Sequence, residues 1–77
     1  MNSLKNNELA FGFVIKKKRL SKRMTQEKLS DISGVSRSYI SKLEKGLTDP
    51  GLYNMLKIAS ALDIKISHLI EEVEHLT

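Results

Sequence analysis

Four side chains that form hydrogen bonds lie at spacings that place them on one face of a short predicted helix. They are Arg37, Ser38, Ser41 and Lys42. A guanidinium donates two parallel bonds, a hydroxyl donates or accepts, and an ammonium donates. None of these groups is acidic. Such a face suits the base edges in the major groove of DNA, where Arg37 would match the O6 and N7 acceptors of guanine.

This face is positioned by two helix patterns that are joined at a single glycine. Thr25 is predicted to cap the first helix and Ser36 the second, which covers 36–45. Gly34 between them can adopt the positive φ that a tight turn requires. The pattern is typical of a helix-turn-helix. The residues predicted to face inward are Leu29, Ile32, Tyr39, Ile40 and Leu43.

The rest of the chain contains three further helix patterns and no alternating run that would indicate a strand. Helix 1 is predicted from about Asn7 to Lys22, and helix 5 from Ile66 or Ser67. Helix 4 is expected to open with Asp49 as cap and Pro50 in the first turn. We expect 1–6 to be a flexible tail and 7–77 a single all-α domain. The core positions predicted in helices 1 and 4 are Phe11, Val14, Ile15, Leu52, Met55, Leu56, Ala59 and Leu62.

Composition limits the function classes. The chain has 77 residues, a net charge of +4 and no cysteine. Residues 1–28 hold eight of the 13 Lys and Arg but only two acids, so the N-terminal part is the expected face for a polyanion. The absence of cysteine excludes disulfides and thiolate metal sites. No apolar run approaches the roughly 18 residues of a membrane span, so a cytoplasmic location is expected.

An enzyme is the first alternative from another class. The chain has no glycine-rich phosphate loop, nucleophile elbow or Cys–His pair. His68, Glu71, Glu72 and His75 share a helix face with spacings that could hold a metal. A polar outer face opposite an apolar stripe explains them better, so we predict no metal, no cofactor and no enzyme.

The apolar residues of helix 5 supply a candidate dimer seam in 66–77. A single small domain covers only a few base pairs, whereas two copies related by a twofold axis reach half-sites about 34 Å apart. Part of the helix 5 stripe must pack on helix 4, and we expect the remainder to contact a second copy. The stripe comprises Ile66, Leu69, Ile70, Val73 and Leu76.

These residues together resemble the lambda-repressor-like, Cro/repressor (XRE-type) helix-turn-helix family over about residues 9–70. The matching stretches are Ile15 and Arg19, Thr25-Gln26 with Leu29, Gly34-Val35-Ser36, Tyr39-Ile40-Ser41, Leu43-Glu44-Lys45-Gly46, Pro50 and 58–62. The resemblance implies a compact five-helix fold that binds double-stranded DNA. The short chain and the run 20–27 further resemble controller proteins of restriction–modification systems, which are small dimeric regulators.

The resemblance also implies roles for individual positions. Gln26 would contact a base edge or a phosphate beside the four base-reading residues. Arg19 and Glu44 match a partly buried ion pair that locks helix 1 against helix 3. The residues predicted to contact phosphate are Lys17, Lys22, Arg23, Thr25, Tyr39 and Lys45. Lys16 and Lys18 are expected to be solvated.

Two questions about partners stay open at the level of sequence. Activation of transcription would require contact with RNA polymerase, and no residue pattern indicates one. An antitoxin-type regulator, whose C-terminal helix covers a second protein, would use the same DNA-binding surface. Because neither of these partners is indicated by the residues, the partners predicted are double-stranded DNA and a second copy of this chain.

Overall fold

A computed structural model of the chain describes residues 3–77, with side chains from Asn7 onward. This part of the chain forms five helices and no strand: α1 Ser3–Ser21, α2 Gln26–Ser33, α3 Arg37–Glu44, α4 Leu52–Ala61 and α5 Ile66–Leu76. The predicted all-α, five-helix architecture is confirmed. Helix α1 begins at Ser3 rather than near Asn7, and residues 1–2 of the predicted tail lie outside the described residues. None of these helices is long and apolar enough to cross a membrane.

Local capping fixes the hinge between α2 and α3. The Thr25 hydroxyl accepts a hydrogen bond from the Lys28 amide at 3.0 Å, and the Ser36 hydroxyl accepts one from the Tyr39 amide at 3.1 Å. Gly34 has φ 76°, in the left-handed region that a Cβ disfavours. The predicted caps and the predicted glycine turn are confirmed. The orientation of α3 relative to α2 is therefore set by local chemistry.

The core lies where all five helices meet, and its residues recur at helical spacing. Three predicted core residues are exposed instead: Ile32, Leu52 and Leu56. Ile32 occupies the last turn of a short helix whose buried position is Leu29. Leu52 and Leu56 lie on the flank of an α4 stripe that runs through Ile58. The buried apolar residues are Ala10, Val14, Ile15, Leu29, Val35, Ile40, Leu43, Met55, Ile58, Ala59, Leu62, Leu69 and Val73.

The start of α4 also differs from the prediction. The helix begins at Leu52 with Gly51 as N-cap, and Asp49 does not cap it. The Tyr39 hydroxyl explains the shift, since it donates to the Asp49 carbonyl at 2.7 Å and accepts from the Gly51 amide at 3.2 Å. This side chain holds 49–51 as a loop, which delays the helix by two residues.

Helices α1 and α3 lie in close backbone contact at Gly12. A methyl group added there would collide with the backbone carbonyl oxygens of Leu43 and Glu44. Those oxygens belong to a helix backbone and cannot swing away as a flexible side chain would. Glycine at this position therefore permits the contact by which α1 supports the outward-facing helix α3.

Replacing Gly12 with alanine is expected to destabilise the protein by about 1–3 kcal/mol, because overpacking forces the two backbones apart. Helix propensity alone predicts the opposite sign, a gain of about 1 kcal/mol for Gly→Ala. Urea denaturation followed by circular dichroism measures the difference. Lys16→Ala in the same helix is the control and should change stability by less than about 0.5 kcal/mol, since Lys16 is exposed. A stabilised Gly12→Ala variant would contradict the close approach.

Candidate nucleic-acid interface

A shallow groove on the outer face of α3 collects the residues predicted to contact bases. Arg37, Ser38 and Lys42 are exposed, and Ser41 is half-buried. Among the described residues that line the groove none is acidic. The groove can therefore donate hydrogen bonds to an anionic or acceptor-rich surface without opposing charge. Its lining comprises Gln26, Arg37, Ser38, Ser41, Lys42, Lys45 and Leu47.

A buried ion pair holds α3 against α1 behind this groove. Arg19 donates to the Glu44 carboxylate from Nε at 2.7 Å and from Nη2 at 3.0 Å. The side chains are 8% and 3% exposed, respectively. Arg19 Nη1 also donates to the Met24 carbonyl at 2.7 Å, which ties in the turn before α2. A two-pronged arginine–carboxylate contact fixes both distance and orientation.

The same carboxylate also orients Gln26. Its amide nitrogen donates to Glu44 Oε1 at 3.0 Å, and a carboxylate can only accept, so the amide nitrogen must face Glu44. One N–H and the amide oxygen of Gln26 remain for an external partner. Those are the two groups that pair with the N7 and N6 of adenine. Gln26 is thus positioned by α1 and α3 as well as by its own helix.

The predicted phosphate-contacting residues are not all in one place. Lys22 and Arg23 are exposed in the turn between α1 and α2, and Lys45 lines the α3 groove. Lys17 instead lines a separate groove with residues of α5, including Glu72 and His75. The structure therefore does not bring Lys17 into the α3 groove.

Two of the predicted phosphate contacts use hydroxyls that are already bonded within the chain. The Thr25 hydroxyl caps α2, and the Tyr39 hydroxyl bridges Asp49 and Gly51. Tyr39 is half-buried and packs against the core. Each hydroxyl keeps acceptor capacity, but a phosphate also accepts. The Tyr39 hydroxyl already donates its one proton to Asp49, so a contact with phosphate would require it to break that bond. The Thr25 hydroxyl only accepts in its cap and keeps its proton for a phosphate.

Lys18 differs from the prediction that it is solvated. Its ammonium pairs with Glu72 of α5 at 2.6 Å, with both side chains about one-third exposed. Lys18 is therefore paired within the chain.

The helix 5 residues considered as a metal site do not form one. Glu72 is engaged by Lys18, and among the described residues no three histidine, aspartate or glutamate side chains converge as a metal site requires. The residues considered were His68, Glu71, Glu72 and His75.

The predicted dimer seam divides between core and surface. Leu69 and Val73 are buried in the chain's own core, so they belong to the part of the predicted stripe that packs within the chain. Ile66 is half-buried in the same core. Ile70 and Leu76 are exposed, as are Leu52, Tyr53 and Leu56 of α4. Apolar residues on the inner face of α5 must be buried to attach this helix to α1 and α4. Sequence periodicity cannot distinguish those residues from apolar residues on the outer face.

Leu47 is the lining residue that sequence reasoning missed. It follows Gly46, whose φ of 72° is the left-handed cap of α3. A leucine after such a glycine usually packs back onto its helix. The sequence signal therefore indicates burial, whereas the structure leaves the side chain 70% exposed.

The fold and the groove define the class of protein. The helix-turn-helix family model matches residues 15–69 of the chain, which include α2, α3 and α4. The chain therefore belongs to the helix-turn-helix family. The resemblance predicted from individual residues is confirmed.

Within this family the chain is similar to restriction–modification control proteins. It is 39% identical to the control protein C.BamHI of Bacillus amyloliquefaciens over 67 residues, covering 86% of this chain and 83% of the relative. The crystal structure of the controller protein C.AhdI from Aeromonas hydrophila superposes with a TM-score of 0.78 at 39% identity, covering 80% of this chain and 94% of that one.

A third similar protein, the controller C.Esp1396I, has been solved as a tetramer in complex with its natural 35 base-pair operator. That structure has a TM-score of 0.76 and 33% identity, and covers 88% of this chain and 95% of that one. Several further relatives are longer regulators, and the chain spans between 24% and 56% of their length.

Proposed function

We propose that this chain is a cytoplasmic, sequence-specific DNA-binding transcriptional regulator. It acts as a homodimer on a palindromic operator, with α3 in the major groove. The single observation that carries this proposal is the acid-free groove on α3, with Arg37 and Lys42 exposed and Gln26 oriented beside them. The major groove is the surface that such a set of donors and acceptors fits.

The chemistry of the groove divides into base contacts and phosphate contacts. Arg37 and Gln26 offer the paired hydrogen-bonding groups that distinguish guanine and adenine. Ser38, Ser41 and Lys42 add single bonds. Lys22, Arg23 and Lys45 at the margins supply charge for phosphate, a contribution that releases counterions and weakens with salt.

The finer assignment is the control of a restriction–modification operon. It is supported by the similarity to C.BamHI and C.AhdI, which covers most of both chains, whereas the longer regulators are matched over only part of their length. The chain performs this role by binding, with no reaction to catalyse. The gene it regulates would be set by the operator sequence.

The surface proposed for the second copy is the exposed apolar side of α4 and α5. It comprises Leu52, Leu56, Ile70 and Leu76. A helical domain of this size gains stability when such residues are covered. The tetrameric operator complex of C.Esp1396I supports a second copy of the chain as the occupant.

Selection from a pool of random duplexes tests the proposed function. The purified chain should enrich a twofold-symmetric sequence whose half-site centres are about one helical turn apart. Binding that is equally tight to every duplex would overturn sequence-specific regulation. An asymmetric enriched sequence would overturn the homodimer while leaving DNA recognition in place.

A double substitution, Leu56→Lys with Ile70→Lys, tests the proposed dimer surface. Both side chains are exposed in the single chain, so the fold should persist while the buried charges prevent association. Sedimentation velocity should change from dimer to monomer, and affinity for the selected palindrome should fall. Ile32→Lys, an exposed isoleucine on α2, is the control and should stay dimeric. An unchanged assembly state for the double variant would exclude this surface.

A further inference from the structure

An exposed leucine among polar groups is the unexplained feature of the α3 groove. Leu47 is 70% exposed, and the other six lining residues are polar or charged. A single exposed leucine is ordinary on a protein surface. This one, however, lies beside the groups proposed to contact base edges, where any apolar side chain affects what the groove can accept.

The backbone holds Leu47 in a fixed place relative to α3. The Leu47 amide donates to the Lys42 carbonyl at 2.9 Å, and the Gly46 amide donates to the Leu43 carbonyl at 3.0 Å. With Gly46 in the left-handed conformation, these two bonds form the closing turn of a helix C-terminus known as the Schellman motif. Leu47 is therefore a rigid extension of α3 and not the tip of a free loop.

The apolar contact that usually covers the residue after the glycine in this motif is missing for Leu47. The residue after the left-handed glycine usually packs on an apolar residue in the last turn of the helix. That position is Lys42, whose ammonium belongs in solvent or on an acceptor. The methyl groups of Leu47 consequently stay uncovered within the groove, on the same side as Lys42 and Ser41.

We infer that Leu47 contacts the 5-methyl group of a thymine and thereby selects one base in each half-site. The methyl is the large apolar group by which thymine differs from the other bases in the major groove; the remaining distinguishing groups there are hydrogen-bond donors and acceptors. Arg37, Gln26 and Lys42 suit those polar groups, and Leu47 suits the methyl. This inference rests on the proposed function, because it requires α3 to enter the major groove.

Deoxyuridine substitution isolates this contact, since deoxyuridine differs from thymidine only by the absent methyl. The duplex selected by the wild-type chain is prepared with each symmetric pair of thymines replaced in turn, and dissociation constants are measured for the wild type and for Leu47→Ala. At one pair of positions the wild type should lose about fourfold affinity per half-site, the value of one buried methyl or methylene. Leu47→Ala should bind the two duplexes equally, because the side chain that detects the methyl is gone.

A matched control separates this contact from a general loss of apolar surface. Leu20 is 54% exposed on α1 and does not line the α3 groove. Leu20→Ala should keep the full sensitivity to deoxyuridine. Unchanged thermal unfolding of both variants would establish that the fold is intact, as expected for exposed positions.

Each other outcome overturns the inference in a recognisable way. If Leu47→Ala weakens binding to the thymine and deoxyuridine duplexes by the same factor, Leu47 contacts sugar or another part of the backbone. If it has no effect on either, Leu47 lies outside the interface. Failure of the wild type to enrich any sequence would instead refute the proposed function itself.

Discussion

Replacing Glu44 with alanine is expected to lower the free energy of unfolding by about 3–5 kcal/mol, the usual cost of breaking a buried ion pair from one side. Arg19 would keep its charge while only 7% exposed, with the Met24 carbonyl as its remaining partner. A domain of this size has only about 5–15 kcal/mol of stability in total, and small domains lie at the lower end. Denaturant titration should therefore show a large shift in midpoint or a partly unfolded protein.

A second glutamate ion pair provides the control for this prediction. Glu72 pairs with Lys18, but both side chains are about one-third exposed, so water and salt screen the interaction. Glu72→Ala should cost less than about 1 kcal/mol. Equal losses for the two variants would mean that burial does not set the value of the Arg19–Glu44 pair. A Glu44→Ala variant as stable as the wild type would show that Arg19 finds another partner.

Replacing Arg37 with alanine is expected to have the largest effect on recognition. The loss should be about 1–3 kcal/mol in each half-site, or roughly 5- to 150-fold, because a guanidinium that donates two bonds to guanine has no substitute in alanine. The variant should also accept other base pairs at that position. Binding of the selected duplex and of its single-base variants, measured at one salt concentration, gives both quantities.

Lys22→Ala distinguishes base recognition from simple charge removal. Lys22 is exposed in the turn after α1 and is proposed to contact phosphate. Its loss should weaken binding to all sequences by a similar factor and reduce the salt dependence by about one unit of slope per site. Should Arg37→Ala behave in the same way, with equal loss on selected and random duplexes, Arg37 would be a phosphate contact and the base would be chosen by other residues.

Local chemistry explains why the helix-turn-helix could be predicted from the sequence. The Thr25 and Ser36 caps and the Gly34 turn each depend on residues within four positions of one another. Such contacts form in the same way in many surroundings. The position of Arg37 and Lys42 on the outer face of α3 follows from helical spacing and from the burial of Ile40 and Leu43.

Predictions failed where a contact between distant segments decided the outcome. The N-cap of α4 is Gly51 and not Asp49, because the Tyr39 hydroxyl bonds the loop there, and no local signal near Pro50 encodes that bond. Lys18 of α1 forms an ion pair with Glu72 of α5, although its neighbours in the sequence indicated a solvated lysine. Periodicity marked the apolar residues of α5 but could not show that Leu69 and Val73 face the chain's own core.

The sequence by itself determined the helices, the hinge and the family, since capping groups, a left-handed glycine and helical periodicity act over a few residues. The tertiary structure decided which of the apolar residues are covered and how the groove is completed. Glu44 of α3 bonds Arg19 of α1 and Gln26 of α2, which joins three helices. Leu47 remains uncovered because the helix position on which such a residue usually packs is occupied by Lys42. Burial and electrostatic pairing depend on distances between segments, and those distances exist only once the helices have packed.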